Sequence, residues 1–523
     1  MSLRHILAAV AVLAAGTPAA RADEAVAYAE ADSMPEWDFN LDEVVVTGTR
    51  VPKLLKDSPV QTRLITAKDI ARTDATNIED LLQQEMPGIE FSYAMNQQVH
   101  LNFNGFGGQS VMFLVNGERL AGETMDDVDF SRLDMNNIER IEIVKGASSA
   151  LYGSNAGGGV INIITRDATR PWNVSAGVRL ARHNEQRYRL LVANHAKYLS
   201  NVLSASHGSL DNYDVKNGPD PIARVVSTIY GNKTWNIQDQ LSITPAEGLK
   251  LSARAGYFFR ELTRVEDSPE RYRDYSGGLR GEWAITPTDR LELSYSFDQY
   301  DKSNMFRLID RDVRVYSNVQ NAVRGLYNHS FAEGNILTLG ADYMRDYLLN
   351  TKLEDPRHHQ DVADVFAQYD WTVDDKWELV GALRYDYFSD SNDSRVTPKL
   401  TARYKPRRNI NLRASYGMGF RAPTLKERYY DFDMAGIWIV RGNKDLKPES
   451  SHNITLSGDM SYGRFNYTLS LYFNDIHDRI STGLPYYLPG DNKQLYLNYI
   501  NLDRYTVPGG SIRPPWWAWT PLP

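Results

Sequence analysis

The chain contains no cysteine. Disulfides, thiolate metal sites and cysteine nucleophiles are thereby excluded, and the composition suits an exported protein that needs no oxidative folding. Positive charge is in deficit: 58 lysines and arginines face 66 aspartates and glutamates, a net charge of −8. That balance offers no nucleic-acid partner. Long apolar runs are missing beyond the N-terminus, so no membrane-spanning helix is expected. The glycines from Gly146 to Gly153 invite comparison with a phosphate loop, but Ser154 stands where such a loop needs lysine. No Ser/His/Asp arrangement stands out, and nothing in the residues argues for an enzyme.

What is abundant is aromatic: 31 tyrosines and 10 tryptophans in a chain of polar mean hydropathy, −0.46. Soluble β proteins share this trait with outer-membrane barrels, whose aromatic girdles sit at both interfaces. The N-terminus favours the second class. Arg4 and His5 precede an apolar run over residues 6–15, and Ala20-Arg21-Ala22 is an A-x-A cleavage site. Residues 1–22 therefore read as a secretory signal peptide. Residues 23–41, acidic and alanine-rich, read as a flexible leader.

The chain is organised around residues 138–166, IERIEIVKGASSALYGSNAGGGVINIITR. Two β-type runs there flank a segment dense in glycine and serine, suited to turns or to close backbone approach. Before it, residues 51–167 read as one α/β unit. Thr66 with Asp69, and Thr76 with Glu79, have capping-box spacing, so two short helices are expected. Val99, Leu101 and Phe103 alternate as in a half-buried strand, and residues 111–115 run into Asn116-Gly117, a hairpin turn. Ahead of this unit stand Asp42, Glu43, Val44, Val45, Val46, Thr47 and Gly48. By themselves they are either its first strand or an exposed strand that adds to the edge of a partner's sheet.

From Trp172 onward the pattern has period two, as in residues 249–257, 291–297, 337–343, 410–416 and 465–473. These strands reach the length that a tilted membrane strand requires. Tight turns at Pro245, Pro287 and Pro406 alternate with longer polar connections, residues 211–221 and 347–361, which is the habit of transmembrane barrels. About sixteen strands are expected between Trp172 and Tyr505. His358, His359, Asp361 and Asp364 could hold a metal, but their setting reads as a solvated loop.

Taken in order, residues 113–120, 138–146, 150–153 and 158–165, then 419–427 (GFRAPTLKE) and 442–449 (GNKDLKPE), resemble the motifs of TonB-dependent outer-membrane receptors. The resemblance covers residues 42–507. It implies a mainly β fold: a transmembrane antiparallel β-barrel of about 22 strands, about sixteen of them present here, with an N-terminal α/β plug domain inside it. Residues 42–50 would match the TonB box, 51–167 the plug and 168–507 an incomplete barrel. Residues 508–523, rich in proline and tryptophan, depart from the family pattern, and Pro514, Pro515, Pro521 and Pro523 forbid a paired strand. The expectation is a truncated or frameshifted product whose unpaired edges would face lipid. A smaller closed barrel of about sixteen strands is the alternative.

The resemblance further implies active import across the outer membrane of a Gram-negative bacterium. The expected partners are TonB with its inner-membrane energising complex, outer-membrane lipid, and a metal-chelate ligand. A passive porin-like barrel and a non-functional product are the other readings. Haem receptors of the family tend to carry a histidine between the two barrel motifs. Here that interval offers only Tyr429, Tyr430, Phe432, Met434 and Trp438. That argues against haem; by what the resemblance implies of the family as a whole, a ferric siderophore is expected first, then cobalamin, then haem. Tyr429, Tyr430 and Trp438, with Tyr93, Met95, Asn96 and Gln97 at the plug apex, are the candidate ligand contacts. Asp211, Asp214 and Asp220 are candidate calcium ligands in an outer loop, although hydrated surface aspartates are the ordinary outcome. No other cofactor is expected.

Overall fold

Among the described residues the period-two stretches become one sheet of nineteen strands, antiparallel except where Trp438–Arg441 runs parallel to Asp491–Arg513. Three of these, Asp431–Met434, Trp438–Arg441 and Tyr486–Leu488, belong to connections, so the wall itself has the other sixteen, from Trp172–Ala181 to Asp491–Arg513. The computed structural model describes residues 44–513 apart from 74, 94–98, 123–127, 217, 219–224, 333, 435–437 and 463–464. The expected signal peptide and leader, Asp42, Glu43, Met95, Asn96, Gln97, Asp220 and residues 514–523 lie outside the described residues.

The two faces of the wall are inverted relative to a water-soluble sheet. Along Arg357–Thr372 and Trp377–Phe388 the buried face carries Asp364, Gln368, Asp370, Glu378, Arg384 and Asp386. The outward face carries Val365, Tyr369, Trp371, Leu379, Leu383 and Tyr385, with Val365 56% and Trp371 47% exposed. Apolar side chains turned outward and polar ones turned inward are what a bilayer outside and a polar lumen inside demand. No helix among the described residues is long and apolar enough to cross a membrane.

Two expectations about this sheet need correction. Residues 347–361 are mostly strand rather than loop: Asn335–Asn350 and Arg357–Thr372 pair from Ile336↔Asp370 to Leu349↔Arg357, leaving a short connection. His358, His359, Asp361 and Asp364 therefore sit on a strand, where neighbours point to opposite faces. The last strand also does not stop at Val507. It pairs through Pro508↔Phe473 to Arg513↔Thr468. Proline is tolerated there because the strand's other side is an open edge at that end, where no N–H is required. The wall's first and last strands do not pair with each other among the described residues, so the sheet is open and the closed sixteen-stranded alternative is not the arrangement found.

Inside the curved sheet lies the α/β unit. Its five-stranded sheet runs Thr62–Thr66, Ile138–Lys145, Gly159–Thr165, Val111–Val115, Glu118–Arg119, with one parallel pairing, Gly159–Thr165 on Val111–Val115. Its helices are Ala67–Thr73 and Ile78–Glu85. Thr66 and Asp69 cap the first reciprocally (3.0 and 3.2 Å). The second is capped by Asn77, which accepts from the Asp80 amide at 2.7 Å, one residue later than the expected Thr76 and Glu79 pair. Asn116 and Gly117, at φ 52° and 81°, make the anticipated hairpin turn. The core of this unit, with Ile65, Leu81, Phe103, Ile141 and Ile161, also takes in Ile476 from the wall. Plug and wall thus share one packed interior. They approach closely at the glycine-rich stretch: a Cβ on Gly419 would sit 2.6 Å from the Gly157 Cα.

Candidate functional site

Val44–Val45 forms a two-residue ladder with Lys53–Leu54 of its own chain. The segment is not an exposed strand: Val45 is 2% exposed, and Thr47, Thr49 and Arg50 are buried. Its polar groups are already engaged. Glu142, fully buried between Ile141 and Ile143, accepts from the amides of Val46 and Thr47 (2.9 Å each) and from the Thr47 hydroxyl (2.7 Å). Asn162 donates to the Thr47 hydroxyl oxygen (3.0 Å), and the Tyr152 hydroxyl donates to the Thr47 carbonyl (2.9 Å). The Arg50 guanidinium lies 3.8 Å over the Tyr152 ring and donates to the Leu151 carbonyl. From the wall, Gln368 donates to the Thr49 carbonyl, and Lys53 pairs with Asp370 and Glu378. Pairing with a partner's sheet edge therefore requires this segment to be released first.

Above the segment two cavities lie between plug and wall. One, of about 2240 Å³ counting its open mouth, touches Thr47, Arg50 and the tight-turn end of the wall at Gly248. The other, of about 1520 Å³ on the same measure, reaches Leu425 and Lys426 of the long connection at the opposite end. Both are lined by Glu118, Tyr152 and Arg324, which form the partition between them. The partition is the plug hairpin at Asn116-Gly117 held by three wall arginines. Arg254 and Arg280 pair with Glu118, Arg280 donates to the Asn116 carbonyl (2.6 Å), and Arg324 donates to the Gly117 carbonyl (3.0 Å). Tyr152 is common to the partition and to the hold on Thr47.

At the long-connection end, Phe258, Tyr272, Tyr300, Tyr316, Leu425 and Tyr430 form an apolar and aromatic cluster. Three of the candidate contacts meet there: Tyr430 is buried within it, and Tyr429 and Trp438 pack against it. Tyr429 donates to Asp390 (3.0 Å) and stacks on His358 at 3.9 Å between centroids. Tyr93 is not brought into the cluster; it is exposed at the end of the plug strand Ile89–Tyr93. Asp211 is exposed after Leu199–Leu210, and Asp214 accepts from Thr228 (2.8 Å) within a small hairpin. Among the described residues no group of three or more acidic or histidine side chains is arranged to hold a metal. The barrel motifs prove to be halves of one knot. Arg421 pairs with Glu427 (2.9 Å) and Glu449 (2.7 Å) and donates to Gln109 of the plug (2.7 Å).

Glu142, Glu118 and Tyr152 were not singled out by sequence. Glu142 does leave a signal, because a carboxylate between Ile141 and Ile143 in an inward run must find a buried partner.

A family model described as TonB-dependent Receptor Plug Domain matches residues 54–160, and one described as TonB dependent receptor-like, beta-barrel matches residues 171–510. The vitamin B12 transporter BtuB of Photobacterium profundum is 25% identical over 462 residues, covering 86% of this chain and 73% of that protein. An iron-regulated outer membrane virulence protein of Vibrio cholerae is 26% identical over 479 residues, covering 84% and 69%. Among solved structures, the siderophore receptor PirA from Pseudomonas aeruginosa superposes with a TM-score of 0.71 at 19% identity, over 86% of this chain and 81% of that one. The ferric enterobactin receptor PfeA has the same TM-score and identity over 86% and 78%. With a plug seated against a receptor-type wall and both family models matched in order, the chain belongs to the TonB-dependent receptors.

Proposed function

We propose that this receptor imports a ferric siderophore across a Gram-negative outer membrane, with TonB pulling on residues 42–48. The observation that carries the coupling is Tyr152, which holds the Thr47 carbonyl and also lines the partition between the two cavities. A pull that removes Thr47 and Arg50 strips Tyr152 of its hydrogen bond and its cationic cover. It leaves the wall ladder untouched, because strand-to-strand hydrogen bonds carry none of that load. No chemistry on the ligand is required, and the site is a carrier rather than a catalyst.

Deletion of residues 42–48 tests this. Energised uptake is expected to vanish while binding of a ferric siderophore to whole cells survives. Unchanged uptake would favour a passive barrel and defeat the proposal. Cobalamin is the second reading, supported by the BtuB relatives; competition between cyanocobalamin and the siderophore separates the two. Calcium at Asp211, Asp214 and Asp220 has its own test: chelation by EGTA lowers ligand affinity if the loop holds the ion, and unchanged affinity removes it.

A further inference from the structure

The plug strand that supplies Glu142, Ile138–Lys145, ends on a second charge. Lys145 is half-buried and lines another cavity between plug and wall, of about 580 Å³ counting its open mouth. The wall side of this cavity is Thr455, Ser470 and Asn474 on two paired strands, with Ser511 of the last strand, which pairs with Ser470. The plug side adds Gln61, whose amide reaches across to the Ser470 hydroxyl. Among the described residues no carboxylate lines the cavity, and Lys145 makes no ion pair. Arg63, the cation beside it, is already paired with Glu85 at 2.7 Å, and the Tyr472 hydroxyl is the other titratable group lining the space.

A cation taken out of water without a counter-ion costs free energy. Here the cost is visible on Lys145, whose ammonium burial, then Arg63, push down to about 8. The polar groups around it are neutral hydroxyls and amides, the donor set that an anion gathers and that a metal ion or an apolar guest does not. Gln61 adds a second unmet group, because its Oε1 is buried without a hydrogen-bond partner. Turning the amide over lets the Ser470 hydroxyl donate to that oxygen and puts the N–H2 donors where the unmet acceptor was. Plug and wall are close enough here to share one ion: a Cβ on Gly146 would sit 3.1 Å from the Thr455 Oγ1.

We propose that this cavity is a site for a small tetrahedral oxyanion, sulfate or inorganic phosphate, held by Lys145 and Gln61 of the plug and by Thr455 and Ser470 of the wall. The bound ion supplies the negative charge that the lining leaves out. It also ties the plug to the wall at Glu449–Tyr462 and Phe465–Thr482, whereas the segment holding Thr49 meets the wall at Gln368. The ion is a fastening and not a cargo, so the site stands whether or not the import reading does.

The test titrates sulfate into the full chain, purified in detergent, by calorimetry at constant ionic strength, with chloride as the control anion. One saturable sulfate site is expected. Lys145→Met weakens it by about tenfold or more, and Ser470→Ala by about threefold. Sulfate is also expected to slow hydrogen exchange at the Lys145 and Gly146 amides, which a loosely held surface ion would not do. Heat-modifiable migration checks that each variant folds; should Lys145→Met fail, Thr455→Val takes its place, with about threefold expected. Short-chain phosphatidic acid in the same detergent presents phosphate as a lipid headgroup. Binding of the soluble ion without the lipid is expected, and binding of the lipid alone overturns the proposal. So does the absence of saturable sulfate binding beyond that of chloride, and so does an affinity that none of the variants alters.

Discussion

At the tight-turn end of the lumen, the amides of Val46 and Thr47, the Thr47 hydroxyl and the carbonyls of Thr47 and Thr49 all have partners. At the C-terminal end of the strand that carries Glu142, Lys145 faces a cavity with no ion pair among the described residues. The first arrangement holds a state; the second waits for one. A matched set of buried hydrogen bonds comes apart only when all are broken together, which suits a segment that must stay docked until pulled. An unanswered cation gains by meeting an anion, which suits a cavity that a small oxyanion can enter. The partition at Glu118, Tyr152 and Arg324 shares Tyr152 with the matched set.

Breaking the matched set should have the largest effect. Glu142→Ala removes three acceptor bonds and leaves buried donors unpaired, and loss of one side of such a buried set costs about 3–5 kcal/mol. Hydrogen exchange at the Val46 and Thr47 amides is expected to quicken accordingly. Glu142→Gln, which keeps an oxygen acceptor, should do much less. Slow exchange in the alanine variant would mean that another contact holds the segment.

The partition comes next. Glu118→Ala deprives Arg254 of its carboxylate and leaves Arg280 with Glu292 alone at 3.5 Å, at a cost of about 2 kcal/mol for the half-buried guanidinium groups. Conductance across a planar bilayer is expected to rise, because the hairpin at Asn116-Gly117 loses its hold on the wall. A barrier unaltered by this change would place the seal elsewhere. Tyr152→Phe is smaller, about 1 kcal/mol for one hydrogen bond to the Thr47 carbonyl. The ring remains under Arg50, so exchange should quicken at residues 47–50 and conductance should stay low.

How much of this could be read from the chain follows from the range of the forces involved. The alternating strands, the hairpin at Asn116-Gly117 and the two short helices of the α/β unit are set by neighbours within a few residues, and all are found. The sixteen wall strands were countable because period two is a local pattern. The burial of Val45 to Arg50 was not legible, since Glu142 is 95 residues from Thr47 and nothing near the segment announces it. The strands through Tyr347 and Asp361 are built of polar residues on their inner face, and in isolation polar residues read as loop. The family-like pattern reads as ending at Val507, yet the last strand continues to Arg513, with Pro508 on an open edge that only the completed sheet defines. Of the candidate contacts, Tyr429, Tyr430 and Trp438 are conspicuous in the sequence as aromatic residues gathered between two motifs, and the fold brings them to one cluster. The cavity at Lys145 draws its lining from separate positions on the chain, and only the fold assembles it.

The smallest effect tests the unmatched charge alone. Lys145 holds its proton less tightly than an ordinary lysine, titrating at about 8, because it is buried and lies near Arg63. The unfolded chain keeps that proton up to about pH 10.4. From about pH 8 to about pH 10.4 the folded chain has therefore shed a proton that the unfolded chain retains, and stability rises with pH across that window. Anion binding has the opposite sign. Between about pH 7 and about pH 8.4 the site gives up most of its positive charge, so affinity for sulfate, whose own charge is constant there, should fall by about threefold. Chemical denaturation and calorimetry, run on the same samples, read the two trends separately. Lys145→Met should flatten both, because it removes the group that titrates while preserving the strand. Were affinity and stability to move in the same direction with pH, the charge at Lys145 would be serving the fold rather than the ligand, and the contrast between the two charges of one strand would lose its basis.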